Sequence, residues 1–181
     1  LVGLMGAGKT SVGKRLAATL DVPFLDSDVE IKAAAGMDIP EMFARLGEPA
    51  FRTGERKVIA RLLSDAPLVL ATGGGAFMDA ETRATIAEKG VSVFLRAELE
   101  TLWARVKDKP GRPLLDTENP KATLTALLEQ RAPVYDLADL TVLSEADQPH
   151  ERVVERIIAG LEALAGPPVF ASTEDTQVRD G

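Results

Sequence analysis

The chain has 181 residues, 45 % of them apolar, and 21 basic side chains against 28 acidic ones give a net charge of −7. That length fits one domain and that apolar share fills a core, which excludes a wholly disordered chain. The acidic balance excludes a broad basic nucleic-acid face; the absence of cysteine excludes disulfides, thiol nucleophiles and Cys-based zinc sites; the single histidine, His150, excludes multi-His metal centres and argues against a Ser-His triad. No apolar run approaches the roughly 18 residues of a membrane span, and no signal peptide is evident. Leu1 in place of Met points to native residues ahead of it.

Leu1-Val2 reads as the stub of a strand, and Lys9 to Leu20 as a helix with Val12, Leu16, Ala17 and Leu20 on one face. Pro23-Phe24-Leu25 is a short buried strand ending at Asp26. Helices follow from Val29 to Ala35, stopped by Gly36, from Ile39 to Leu46, stopped by Gly47, and from Phe51 to Leu63. Leu68 to Ala71 is an apolar strand, Ala80 to Lys89 a helix, Val91 to Leu95 a strand and Glu98 to Lys107 a helix. A Pro- and charge-rich loop from Asp108 to Asn119 has the length and polarity of a lid. A helix from Lys121 to Arg131, a strand at Leu140-Thr141-Val142 and a helix from Arg152 to Leu164 complete the pattern, and 166–181 reads as a flexible tail. Apolar strands alternating with helices predict a parallel sheet covered on both faces.

Gly3-Leu4-Met5-Gly6-Ala7-Gly8-Lys9-Thr10 fits G-x-x-x-x-G-K-[ST]. The glycines permit a tight loop whose N–H groups point inward at phosphate oxygens. Lys9 opens the following helix, where it can reach the β- and γ-phosphates, and the Thr10 hydroxyl can ligate Mg²⁺. The apolar stub before and the amphipathic helix after are the context this motif requires. It identifies the nucleotide and not the reaction.

Asp26-Ser27-Asp28 follows a strand, at the sheet edge where ligands bind in open α/β folds. One carboxylate there can support a metal and the other approach an acceptor hydroxyl, while Ser27 or Asp28 can equally cap the next helix. Arg52 has Glu55 three residues on, Arg131 closes a helix before Ala132-Pro133, and Arg112 lies in the lid-like loop. Each arginine taken singly reads as a solvated surface charge, although arginine also recognises carboxylate and phosphate in a bidentate way. Thr72-Gly73-Gly74-Gly75 follows a buried strand, and three glycines there allow close approach of a ligand to the backbone. His150 reads as an exposed residue near a helix start; Trp103 and Tyr135 read as packing, with Tyr135 the nearer to a site.

In order along the chain stand Gly3-x-x-Gly6-x-Gly8-Lys9-Thr10-x-Val12-Gly13, Asp26-Ser27-Asp28, Phe51-Arg52-x-x-Glu55, Thr72-Gly73-Gly74-Gly75, Arg112-Pro113-Leu114-Leu115 and Arg131-x-Pro133-x-Tyr135. In this the sequence resembles the shikimate kinase family from Gly3 to about Leu164. The resemblance implies a three-layer α/β/α P-loop kinase fold, like that of the nucleoside monophosphate kinases. It implies a short, five-stranded parallel sheet, a substrate-binding helical region at about 28–62 and a lid at about 108–119, with a single domain over 1–165. It implies phosphorylation of the 3-hydroxyl of shikimate with MgATP, in chorismate biosynthesis, by a cytoplasmic monomer without nucleic-acid or membrane partners.

Carried over by that resemblance, Gly6, Ala7, Gly8, Lys9, Thr10 and Ser11 bind ATP, and Thr10 and Asp26 serve the metal. Asp28 binds the acceptor hydroxyl as its base. Arg52 and Arg131 hold the shikimate carboxylate, Glu55 orients Arg52, and Gly73, Gly74 and Gly75 contact the substrate. Arg112 enters with the lid to face the transferring phosphoryl group, and Arg105 stacks on adenine. Some members carry an arginine before the last helix; here the loop is Glu145-Ala146-Asp147-Gln148-Pro149, so that contact falls to Gln148 or to backbone. The competing readings are a related gluconate or nucleotide kinase, and an ATP-binding module without catalysis.

Overall fold

Four short, mostly apolar segments become strands: β1 (Phe24–Asp26), β2 (Val69–Ala71), β3 (Val93–Arg96) and β4 (Leu140–Leu143). The computed structural model describes residues 1–64, 67–109 and 113–165. β1 pairs with β2 and β3 with β4, both in parallel, with Leu25 opposite Leu70 and Leu95 opposite Val142. The stub at Leu1-Val2 joins the two pairs. Leu1 N donates to Leu70 O at 2.6 Å and Thr72 N to Leu1 O at 3.1 Å; Val2 N donates to Val93 O at 2.9 Å and Leu95 N to Val2 O at 3.0 Å. The order is therefore β1, β2, stub, β3, β4, the expected five-membered parallel arrangement with its central member reduced to two residues.

The helices are α1 (Lys9–Leu20), α2 (Ser27–Ala35), α3 (Ile39–Leu62), α4 (Ala80–Lys89), α5 (Leu99–Val106), α6 (Pro120–Tyr135) and α7 (His150–Ala165), with 3-10 turns at Ala76–Met78 and Pro113–Leu115. The two helices expected on either side of Gly47 run on as α3 with a kink. Gly47, at φ 78° and ψ 164°, leaves the helical region and Pro49 follows it. α2 begins two residues earlier than the sequence pattern suggests. Its cap is Asp26, whose side chain accepts from Asp28 N at 3.0 Å, and neither Ser27 nor Asp28 takes that part. α6 continues one turn past Arg131, carrying Pro133 within it to end at Tyr135.

The main core gathers Leu4, Val12, Leu16, Leu95, Leu124 and Ile157 around the sheet, and Trp103 packs against it as expected. A separate small cluster of Ile31, Met42 and Phe51 holds α2 to α3. Leu115, inside the lid-like loop, is buried in the main core and anchors the second half of that loop there. Pro110, Gly111 and Arg112, together with the tail 166–181, lie outside the described residues.

Candidate active site

The segments that leave the C-terminal ends of the stub, β1 and β2 converge on one cleft of about 460 Å³. It is lined by the Gly-rich loop and Lys9, Thr10 and Ser11 on one side, and by Asp26, Asp28 and Thr72 to Gly74 on the other. Arg105, Lys109 and His150 close its third side.

The phosphate loop is built as its glycines require. Gly8 is the N-cap of α1 at φ 99°, a left-handed conformation that side chains rarely adopt. The backbone thereby turns directly into the positive end of α1. Lys9 Nζ folds back on its own loop, donating to Gly3 O at 2.7 Å and Leu4 O at 3.1 Å. Ala7 is buried in the loop and supplies backbone only.

Asp26 performs two tasks at once. One oxygen caps α2 through Asp28 N, and the other accepts from Thr10 Oγ1 at 3.0 Å. Thr10 and Asp26 thus form an oxygen-only pair at the foot of the phosphate loop. Mg²⁺ prefers such hard donors and keeps most of its shell for phosphate and water, so the pair fits that ion. No group of three or more His, Cys, Asp or Glu side chains placed to hold a metal occurs among the described residues. Burial, and then the charge of Asp26, pushes the Asp28 carboxyl above its ordinary value.

The three glycines after β2 each face a different charged group. A Cβ on Gly73 would stand 2.6 Å from Asp28 Oδ1 and 3.1 Å from Glu55 Oε1. One on Gly75 would stand 2.6 Å from Arg52 Nη2, and one on Gly74 would lie 3.8 Å from Arg131 Nη1. Asp28, Glu55, Arg52 and Arg131, far apart in sequence, are therefore gathered around one turn. Gly73 N donates to Ser27 Oγ at 3.0 Å, fastening that turn to α2. Arg131 Nη1 and the Tyr135 hydroxyl both donate to Gly74 O.

Arg52 is held on both sides. Nη1 donates to Glu55 Oε2 at 2.7 Å, and Nε and Nη2 donate to Glu48 Oε1 at 3.3 and 3.2 Å. Its guanidinium also lies over Phe51, 5.2 Å from the ring centroid. Glu55 is 2 % exposed, and burial raises its carboxyl above the ordinary value against the opposing pull of Arg52.

Arg105 ties the phosphate loop to the segment after β4. It donates to Gly6 O at 3.2 Å, Ser144 Oγ at 3.1 Å and Glu145 O at 2.8 Å. Gln148 Oε1 is buried without a hydrogen-bond partner among the described residues. An amide acceptor left unpaired suits a donor group on a bound base. His150 is half-buried and lines the cleft, so its reading as an exposed residue is corrected. Glu48, Lys109 and Ser144 are not singled out by the sequence pattern. Ser144 could have been found by extending the strand-end argument to β4; Ser27 was seen only as a possible cap.

A phosphate loop on a parallel sheet, an oxygen pair for Mg²⁺ and a carboxylate facing a cationic pocket define a P-loop phosphotransferase that acts on a small anionic acceptor. A shikimate kinase family model matches residues 5–162. Shikimate kinase from Bradyrhizobium diazoefficiens is 56 % identical over 163 residues, covering 90 % of this chain and 78 % of the relative. That from Ruegeria pomeroyi is 57 % identical over 161 residues, 89 % of this chain and 83 % of the relative. Among solved structures, Acinetobacter baumannii shikimate kinase in complex with shikimate superposes with a TM-score of 0.83 at 41 % identity, over 88 % of this chain and 89 % of that one. The chain belongs to the shikimate kinase family, and its activity is the ATP-dependent phosphorylation of shikimate, with Mg²⁺. A gluconokinase from Sinorhizobium meliloti is similar at a TM-score of 0.59 and 24 % identity, a likeness of fold alone.

Proposed function

We propose that the cleft transfers the γ-phosphoryl group of ATP to the 3-hydroxyl of shikimate with the residue roles that follow. Asp28 accepts the hydroxyl proton as the new O–P bond forms, and the bond from γ-phosphorus to the bridging oxygen breaks, leaving its electron pair on ADP. A raised carboxyl is a better proton acceptor than an ordinary one, and it adjoins the acceptor side of the turn. Lys9, the loop N–H groups and the α1 N-terminus neutralise the phosphates. Thr10 and Asp26 would hold Mg²⁺, which would supply charge neutralisation to the phosphates. Arg52, oriented by Glu55, and Arg131 bind the acceptor carboxylate, with Gly73, Gly74 and Gly75 giving backbone contacts. Arg105 and Gln148 face the base, and Arg112 enters with a lid over about 108–119, where closure keeps water from the γ-phosphate.

The observation that carries this reading is the turn at Gly73 to Gly75, where the missing side chains of Gly73 and Gly75 make room for Asp28 and Arg52, and Gly74 O accepts from Arg131. A catalytic acid–base group and two carboxylate ligands are thereby brought to one wall. We place the enzyme in the cytoplasm, as the absence of cysteine allows; among the described residues no helix is long and apolar enough to cross a membrane. A coupled ADP-release assay with shikimate, quinate, gluconate and CMP tests the assignment. Turnover with shikimate well above the others is expected; turnover with gluconate or CMP alone overturns it, and ATP binding without ADP release identifies a non-catalytic module.

A further inference from the structure

Tyr135 is a fully buried phenol to which the roles above give no task. Its ring lies against Phe94 of β3, with centroids 5.0 Å apart and planes 22° apart. Its hydroxyl donates to Gly74 O, and Arg131, one helical turn earlier on α6, donates to the same oxygen at 3.2 Å. Two donors thus converge on one carbonyl, one neutral and anchored in the core, the other cationic and half-buried.

A phenylalanine would fill the same space and keep the stack, so packing does not account for the hydroxyl. Burial outweighs the facing charges of Arg131 and Arg52 and holds the phenol pushed up to about 12, so it stays a donor at neutral pH. A carbonyl held by a rigid donor cannot swing with a mobile one. Arg131 then has a fixed seat for Nη1, and its other N–H groups remain for a ligand. Ligand groups ordered before binding cost less affinity than groups ordered by it.

We propose that Tyr135 is a positioning residue for the acceptor: by sharing Gly74 O with Arg131 it locks the glycine turn and presets the guanidinium for the substrate carboxylate. This rests on the reading of Arg131 as a carboxylate ligand.

Tyr135→Phe removes the oxygen and keeps the ring. Losing one such hydrogen bond is expected to raise the KM for shikimate about five- to tenfold. The KM for ATP should stay within about twofold, and Tm should hold. Phe94→Leu, which loosens the ring without removing its hydroxyl, should lower Tm and leave the ratio of the two KM values unchanged. In an Arg131→Ala background the Tyr135→Phe effect on the shikimate KM should shrink to less than about twofold, because the two act together. An unchanged shikimate KM in Tyr135→Phe, a parallel rise in both KM values, or full additivity with Arg131→Ala overturns the proposal. Arg131→Ala with an unchanged shikimate KM would instead remove the reading of Arg131 itself.

Discussion

Asp28 Oδ1 occupies the space that a side chain on Gly73 would take, 2.6 Å from where its Cβ would stand. The glycine and the carboxylate are therefore one unit. Gly73→Ala forces either the carboxylate or the turn to move. Displacements near 1 Å at a reacting group can lower rates on the order of 100-fold. We expect a kcat loss of about that size with ATP affinity unchanged, read by steady-state kinetics and calorimetric titration of ATP.

Asp28→Asn removes the proposed proton acceptor and should lower kcat by about 10²- to 10⁴-fold while ATP still binds. Stability should move the other way. Asp28 has its folded-state value raised, chiefly by burial, so the native state holds the proton more tightly than the unfolded chain. Its contribution is then lost as pH rises from the ordinary carboxylate value through the raised one. Relative to wild type, Asp28→Asn should gain Tm above that window and show no gain below it. A melting series across pH checks this, and a constant offset would contradict it.

Arg52→Ala should be costly for two separable reasons. It removes a proposed ligand of the substrate carboxylate, and it leaves Glu55 buried beside Asp28 without its cation. Breaking a buried pair typically costs about 3–5 kcal/mol. Because the Arg52 side chain is partly exposed, about 2–3 kcal/mol is expected here, measured by urea denaturation. Adding Glu55→Gln to Arg52→Ala should recover much of that stability and none of the shikimate affinity.

Arg105→Ala should raise the KM for ATP about tenfold with the shikimate KM unchanged, since the bonds from Arg105 reach Gly6, Ala7, Ser144 and Glu145, on the phosphate-loop side of the cleft. Steady-state kinetics with each substrate varied in turn separates this from a general loosening of the site.

The sequence told most where a function is written in adjacent residues. The phosphate loop needs its glycines, lysine and threonine in one turn, so Gly3 to Thr10 could be read directly. Asp26 was harder. Capping and metal support look alike in a one-dimensional string, and only the geometry gives one oxygen to Asp28 N and the other to Thr10. The turn at Gly73 to Gly75 could be seen to permit close approach. What approaches it could not, because Asp28, Arg52 and Arg131 come from three different helices. His150 was misplaced because a lone histidine at a helix start carries no pattern; the cleft reaches it only through the packing of α7 on α1. The extra turn of α6 was hidden by Pro133, a residue that usually ends a helix and here lies inside its last turn.

Lys9 Nζ is already bonded to the carbonyls of Gly3 and Leu4. With Lys9 as the phosphate ligand proposed above, binding at this loop is a change of partner. A hydrogen bond to a charged group contributes about 1.5–3 kcal/mol, so an incoming anion must outcompete bonds that are already made. A small singly charged ion such as chloride has little with which to do so, whereas a polyphosphate brings several oxygens to the lysine and the loop together. On the proposed reading of Lys9 as a phosphate ligand, the loop therefore sets a threshold that a polyphosphate clears more readily than a small monovalent anion does.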